Sequence, residues 1–149
     1  MSSETLSQEL RGVPVAKAIT EKLAAQVQEL RAQGVTPKLV IVRIGQKSDD
    51  LTYERAAYTR AEKVGFEVET IELPEDATQE QVNSAFDQVS ADASVHGCLP
   101  MRPFPAGIDE HEALQHLAPE KDVDCATDSM LLATLCGTSG ALGPCTAEA

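Results

Sequence analysis

The chain has 149 residues and a mass of 15.9 kDa, with 42% hydrophobic and 24% charged residues, a balance that fits one globular domain and excludes bulk disorder. Twelve basic against 24 acidic side chains leave a formal charge of −12, with no Trp, two Tyr and three Phe. Such a surface repels phosphate backbones and anionic headgroups and lacks a stacking platform, so neither nucleic acid nor a membrane surface is the expected partner.

The first residues, Met1-Ser2-Ser3-Glu4, are polar and acidic, unlike a secretory signal, and residues 1–11 read as a flexible N-terminus. Ala16, Ile19, Leu23, Val27 and Leu30 recur at helical spacing, with Pro14 suited to the first turn and Gly34 to the stop. Thr36-Pro37 forces an extended entry into Leu39-Val40-Ile41-Val42-Arg43-Ile44, the near-continuous apolar run of a strand covered on both faces. Gly45 ends it, and a helix is expected from about Leu51 to Val64. Phe66 to Leu73 reads as a second strand, stopped by Pro74.

Thr78 and Gln81 form a capping-box pair ahead of Val82, Ala85, Phe86 and Val89, an amphipathic helix. Val95 to Leu99 reads as a short third strand ended by Pro100. Asp109 and Glu112 offer another capping pair before Ala113, Leu114 and Leu117, and a last apolar segment runs from Met130 to Leu135. Strands alternating with single helices at βαβ length predict an α/β fold: a three-layer α-β-α domain with a mainly parallel sheet. Sites in such sheets lie at the carboxyl ends of the strands, which singles out the loops 45–53, 74–78 and 100–109, joined by the segment around Asp122 and Asp124.

No apolar stretch approaches the roughly 18 residues of a membrane span. Cys98, Cys125, Cys136 and Cys145 form no CxxC pair and are expected to be reduced thiols; no metal site is expected. A Gly-x-Gly-x-x-Gly fingerprint, a Walker loop and a Gly-x-Ser-x-Gly elbow are all missing. The acidic pair Asp49-Asp50 follows the first strand too late for a phospho-receiver site.

One constellation is specific. Gly45 precedes Tyr53 by eight residues. Val95-His96-Gly97-Cys98-Leu99-Pro100-Met101-Arg102-Pro103-Phe104-Pro105 follows, then Pro119-Glu120-Lys121-Asp122-Val123-Asp124, then Pro144-Cys145-Thr146. In this order and spacing the set resembles the methylenetetrahydrofolate dehydrogenase/methenyltetrahydrofolate cyclohydrolase (FolD-type) family, in its N-terminal catalytic domain. The resemblance implies a folate-binding domain over 12–143, with 144–149 starting a connection to a second domain that carries the nicotinamide cofactor, NAD(P), beyond this chain. It further implies a cytoplasmic protein of one-carbon metabolism, homodimeric when complete and monomeric as this chain, with a folate-type small molecule as its ligand.

The resemblance also names the site. Tyr53 matches a Tyr that packs along the folate, and its ring offers a flat face with a hydroxyl at one edge. Asp124 matches an acid able to accept two parallel hydrogen bonds from the amino-pyrimidinone edge of a pterin. Pro103 keeps the rigid strand-end turn. Two positions depart from the family pattern: its Lys, one helical turn after the Tyr, is Ala57, and its Gln is Met101. Alanine handles no proton and methionine cannot replace a paired amide donor and acceptor, so the hydrolytic step is expected to be impaired. The substrate-binding set is therefore Tyr53, Met101, Pro103 and Asp124, with Tyr53 alone left of the catalytic positions. A non-catalytic folate- or heterocycle-binding paralogue is the alternative. The family's Gly after the acid is Cys125, and Cys98 and Cys125 stand as small apolar fillers or as thiols approaching in the cleft. His96 is expected to be a core histidine, His111 and His116 surface residues, and Arg102, Lys121, Asp122 and Glu110 solvated.

Overall fold

The computed structural model describes residues 12–148. The expected frayed stretch 1–11 lies outside them. Seven principal elements alternate: α1 (Gly12–Ala32), β1 (Lys38–Ile44), α2 (Ser48–Val64), β2 (Glu67–Leu73), α3 (Gln79–Ala91), β3 (Gly97–Pro100) and α4 (Glu110–Leu114). A 3-10 turn at Pro119–Lys121, α5 (Asp128–Leu135) and α6 (Cys145–Glu148) complete the chain. The sheet is parallel throughout, in the order β2-β1-β3. Ile44 pairs with Leu73 and Val42 with Pro100, so all three strands end on the same side.

The centre of the sheet follows from its side chains. Val40, Val42 and Ile44 point to one face and join Val82, Phe86 and Val89 of α3, Leu114 of α4, and Leu117 in a single apolar cluster. Phe86 stacks on Phe104 with ring centroids 6.1 Å apart. Ile41 and Arg43 point to the other face, beneath α2, where Ala61 and Val64 are buried. Helices thus cover both faces, as expected of an α/β sheet with a central apolar strand.

The capping box on α3 is complete: Gln81 N–H donates to Thr78 Oγ1 at 3.3 Å, and Thr78 N–H to Gln81 Oε1 at 2.8 Å. The second pair is only half a box. Glu112 N–H donates to Asp109 at 3.0 Å, but the Glu112 carboxylate accepts from Asn83 of α3 instead of returning to the cap.

Several sequence expectations are corrected. α2 begins at Ser48, a turn earlier than periodicity indicates, because Asp49 and Asp50 favour the positive helix end despite being polar. α1 forms as expected, but of its apolar stripe only Val27 is buried, while Ile19 is 52% exposed. β3 begins at Gly97, leaving His96 exposed, with its Nδ1 accepting from Lys38 N–H at 3.3 Å; it is not a core histidine. Lys121 and Asp122 are buried, not solvated. Lys121 Nζ donates to the carbonyls of Val89, Ser90 and Asp92 at 2.8, 2.9 and 2.6 Å, filling the acceptors at the end of α3. Asp122 accepts from the amides of Asp124, Ala126 and Thr127 at 3.2, 3.0 and 2.8 Å.

Candidate active site: a cleft at the strand ends

A cleft of about 370 Å³ opens at the carboxyl ends of β1 and β3. Its lining is Asp49, Asp50, Tyr53, Leu99, Pro100, Met101, Arg102 and Asp124. Larger hollows among the described residues lie elsewhere. One, of about 470 Å³, runs between α1 and α2; the other, of about 500 Å³, lies at the amino ends of the strands by Lys38 and His96. Neither sits where the strand dipoles and connecting loops of a parallel sheet converge, and neither has an aromatic wall.

Three segments build the cleft. The first turn of α2 brings Asp49 and Asp50, and Tyr53 follows one turn on, on the same helical face. Tyr53 is 60% exposed, an open flat surface instead of a core side chain. The end of β3 supplies the floor, where Met101 is buried and its N–H donates to Val42 at 2.8 Å. The loop after the 3-10 turn brings Asp124 across from them. That loop is held to the sheet by Asp122, which bridges to Cys98 on the free edge of β3. Gly97 makes the approach possible, since a Cβ there would stand 2.7 Å from Val123 Cγ1.

Electrostatics divide the lining. Burial pushes the Asp124 carboxyl up from its usual range, with Asp122 adding to the rise and Arg102 opposing it. Arg102 is not a simple solvated side chain: its Nε donates to Glu110 Oε1 at 2.7 Å. Glu110 in turn accepts from Phe104 N–H at 3.0 Å. Burial disfavours the Glu110 anion, but these two donors outweigh it and hold its carboxyl below the usual range. Glu110 is therefore a bonded corner post, where the sequence suggested a solvated cap.

Of the residues singled out by sequence, Tyr53, Met101 and Asp124 share this cleft. Pro103 is exposed and lies outside the lining, at the next corner, where its carbonyl accepts from Lys47 Nζ at 2.9 Å. Ala57 sits half-buried on α2, one turn beyond Tyr53, and also lies outside the lining. Cys98 belongs to the core, not the cleft, and burial pushes its thiol up to about 12. Cys125 follows Asp124 with a left-handed backbone (φ 54°), and its Sγ lies 3.8 Å from Thr134. All four cysteines are free thiols. His111 is exposed and His116 half-buried, each beside an aspartate, and neither reaches the cleft. Asp49, Asp50 and Arg102 also line the cleft; they fall in the strand-end loops 45–53 and 100–109 that the sheet rule singles out, though the family pattern gave them no assigned place in the site. Helical spacing back from Tyr53 was the signal for the two aspartates.

Comparison with known proteins identifies the family. Residues 10–124 match the family model of the tetrahydrofolate dehydrogenase/cyclohydrolase catalytic domain. The chain belongs to that family. It is 40% identical to the bifunctional protein FolD of Alkaliphilus oremlandii over 95% of this chain and 50% of that protein. It is 41% identical to FolD of Clostridioides difficile over 97% of the chain and 50% of the relative. Among solved structures it superposes on the Trypanosoma brucei methylenetetrahydrofolate dehydrogenase-cyclohydrolase, crystallised with NADP cofactor and inhibitor. The TM-score is 0.86 at 31% identity, covering 95% of this chain and 49% of that one. The Campylobacter jejuni FolD structure gives a TM-score of 0.87 at 26% identity, over 91% and 48%. The chain spans about half the length of the curated relatives it matches. No helix among its described residues is long and apolar enough to cross a membrane.

Proposed function

We propose that this chain is the folate-binding part of a methylenetetrahydrofolate dehydrogenase/cyclohydrolase-type protein of one-carbon metabolism. The observation that carries the reading is the shared cleft of Tyr53 and Asp124, floored by Met101. A pterin laid against the Tyr53 ring can present its amino-pyrimidinone edge to the Asp124 carboxylate, which accepts two parallel hydrogen bonds. Burial that raises the Asp124 carboxyl also strengthens any such bond by lowering the local dielectric.

In the complete protein the reaction would be oxidation of 5,10-methylenetetrahydrofolate. The nicotinamide group, NAD(P), would accept the hydride. The sequence holds no Gly-x-Gly-x-x-Gly stretch, so we assign no residue of this chain to that cofactor. The chain's own contribution is positioning, fixing the ring so that its reactive carbon meets the acceptor. Hydrolysis of the methenyl product is the weaker step. Ala57 offers no proton handler and Met101 no amide, so dehydrogenase activity should exceed cyclohydrolase activity. The same two residues favour a second reading, a paralogue that binds folate or another heterocycle without turnover.

Calorimetric titration of the chain with tetrahydrofolate derivatives tests the first claim. Saturable binding that Asp124→Asn weakens at least tenfold is expected, and no binding would overturn the reading. Steady-state assay of both steps in the complete protein separates the enzyme from the paralogue, and efficient cyclohydrolase turnover would refute the role given to Ala57.

A further inference from the structure

The cleft has an unbalanced charge that the folate reading does not by itself require. Asp49, Asp50 and Asp124 line it against one basic residue, Arg102. Arg102 is already compensated by Glu110, 2.7 Å from its Nε. Lys47 donates to the Pro103 carbonyl and lines a separate hollow with Glu75. Ser48 Oγ lies 3.4 Å from Asp49. Among the described residues, no hydrogen bond or ion pair ends on the carboxylates of Asp50 or Asp124. The amino end of α2 offsets only about half a unit of this charge. A net negative lining therefore remains, with Asp49 and Asp50 on the same face of α2 as the open ring of Tyr53.

Neutral reduced folates engage Asp124 through the pterin edge but have no use for Asp49 and Asp50, whereas one folate state does. Loss of hydride from the methylene carbon leaves the 5,10-methenyl ring, whose positive charge is spread over the N–C–N bridge. Resting on the folate reading above, we infer that the cleft discriminates by charge, holding the 5,10-methenyl cation in preference to neutral-ring folates, with Asp49 and Asp50 as the specificity-determining residues. A cleft that favours the cation favours the product of oxidation and, without a proton handler at residue 57, retains it. The glutamate tail is common to all the ligands compared and cancels from the preference.

Fluorescence titration of the 149-residue chain with 5,10-methenyltetrahydrofolate and with 5-formyltetrahydrofolate tests this, at a mildly acidic pH where the cation persists. The cation is expected to bind about tenfold more tightly, the effect of roughly one unscreened charge at a half-exposed site. That ratio should fall with added salt and should drop to about twofold in Asp49→Asn/Asp50→Asn. Salt dependence of the unaltered chain gives an answer even if the double variant does not fold. Equal affinities for the two folates, or a ratio untouched by both salt and the double substitution, would overturn the charge inference and leave the folate reading standing. Failure of both ligands to bind would overturn the folate reading and this inference with it.

Discussion

Arg43 Nε donates to Glu54 Oε2 at 2.8 Å, and Glu54 is the residue after Tyr53 on α2. The guanidinium is 4% exposed; it also donates to the Gly45 carbonyl and lies 3.1 Å from Glu72 of β2. One buried cation therefore ties together the end of β1, the loop after it, β2 and the helix that carries the aromatic wall.

Glu54→Leu leaves that guanidinium buried without its main partner, which should cost about 3–5 kcal/mol in urea unfolding. Arg43→Met combined with Glu54→Leu should recover most of the loss, because an apolar pair needs no compensation. A double variant no more stable than Glu54→Leu would show that the pair is worth more than its packing.

Cys125 holds a left-handed backbone that costs a side-chain residue about 1–2 kcal/mol. Cys125→Gly should stabilise the chain by about 0.5 kcal/mol, the relief being partly offset by added unfolded-state entropy. Cys125→Val, with a branched Cβ, should destabilise it by about 2 kcal/mol. Thermal melts of the two variants should move in opposite directions.

Gly97→Ala places a methyl 2.7 Å from Val123 Cγ1, between the buried Asp122 and the cleft-facing Asp124. Overpacking of this kind costs about 1–3 kcal/mol. Because the strain falls on the loop that carries Asp124, folate affinity should drop along with the melting temperature.

Two carboxylates give opposite pH signatures. Glu110, held below the usual range, contributes stability that is complete above its unfolded value and is lost as pH falls through its lowered folded value. Asp124, raised mainly by burial, costs stability when ionised, and that cost is relieved as pH falls through its raised value. Asp124→Asn should therefore stabilise the ligand-free chain near neutral pH, a gain that disappears in acid. Urea unfolding at several pH values reads both effects.

Thiol chemistry should follow burial. Cys136 and Cys145 are exposed, whereas the Cys98 thiol, pushed up to about 12, is fully buried. Alkylation of the folded chain should label the first two quickly and Cys98 only on unfolding, as peptide mass mapping would show.

The order of elements was legible because apolar runs and periodic helices are local signals: Val40, Val42 and Ile44 announce a covered strand, and Thr78 with Gln81 announces a helix start. That Tyr53 and Asp124 line one cleft was legible only through the family pattern, since they stand 71 positions apart. Burial of polar side chains was the main failure. Nothing adjacent to Lys121 in sequence shows that three carbonyls of α3 await it, and nothing near Glu110 shows Arg102 and the Phe104 amide converging on it. Such matches are made by the packing of distant segments, so a local reading returns solvent. The exposed stripe of α1 is the same error with the sign reversed.

Lys121 and Asp122 lock their turn from below, one into the end of α3 and the other around three successive amides, so the acid two residues on belongs to the scaffold more than to a loop. A small molecule meeting it finds its partner already in place and loses little affinity to ordering the chain. A shallow groove can bind firmly on that basis, because its acid is fixed by contacts within the chain before any ligand arrives.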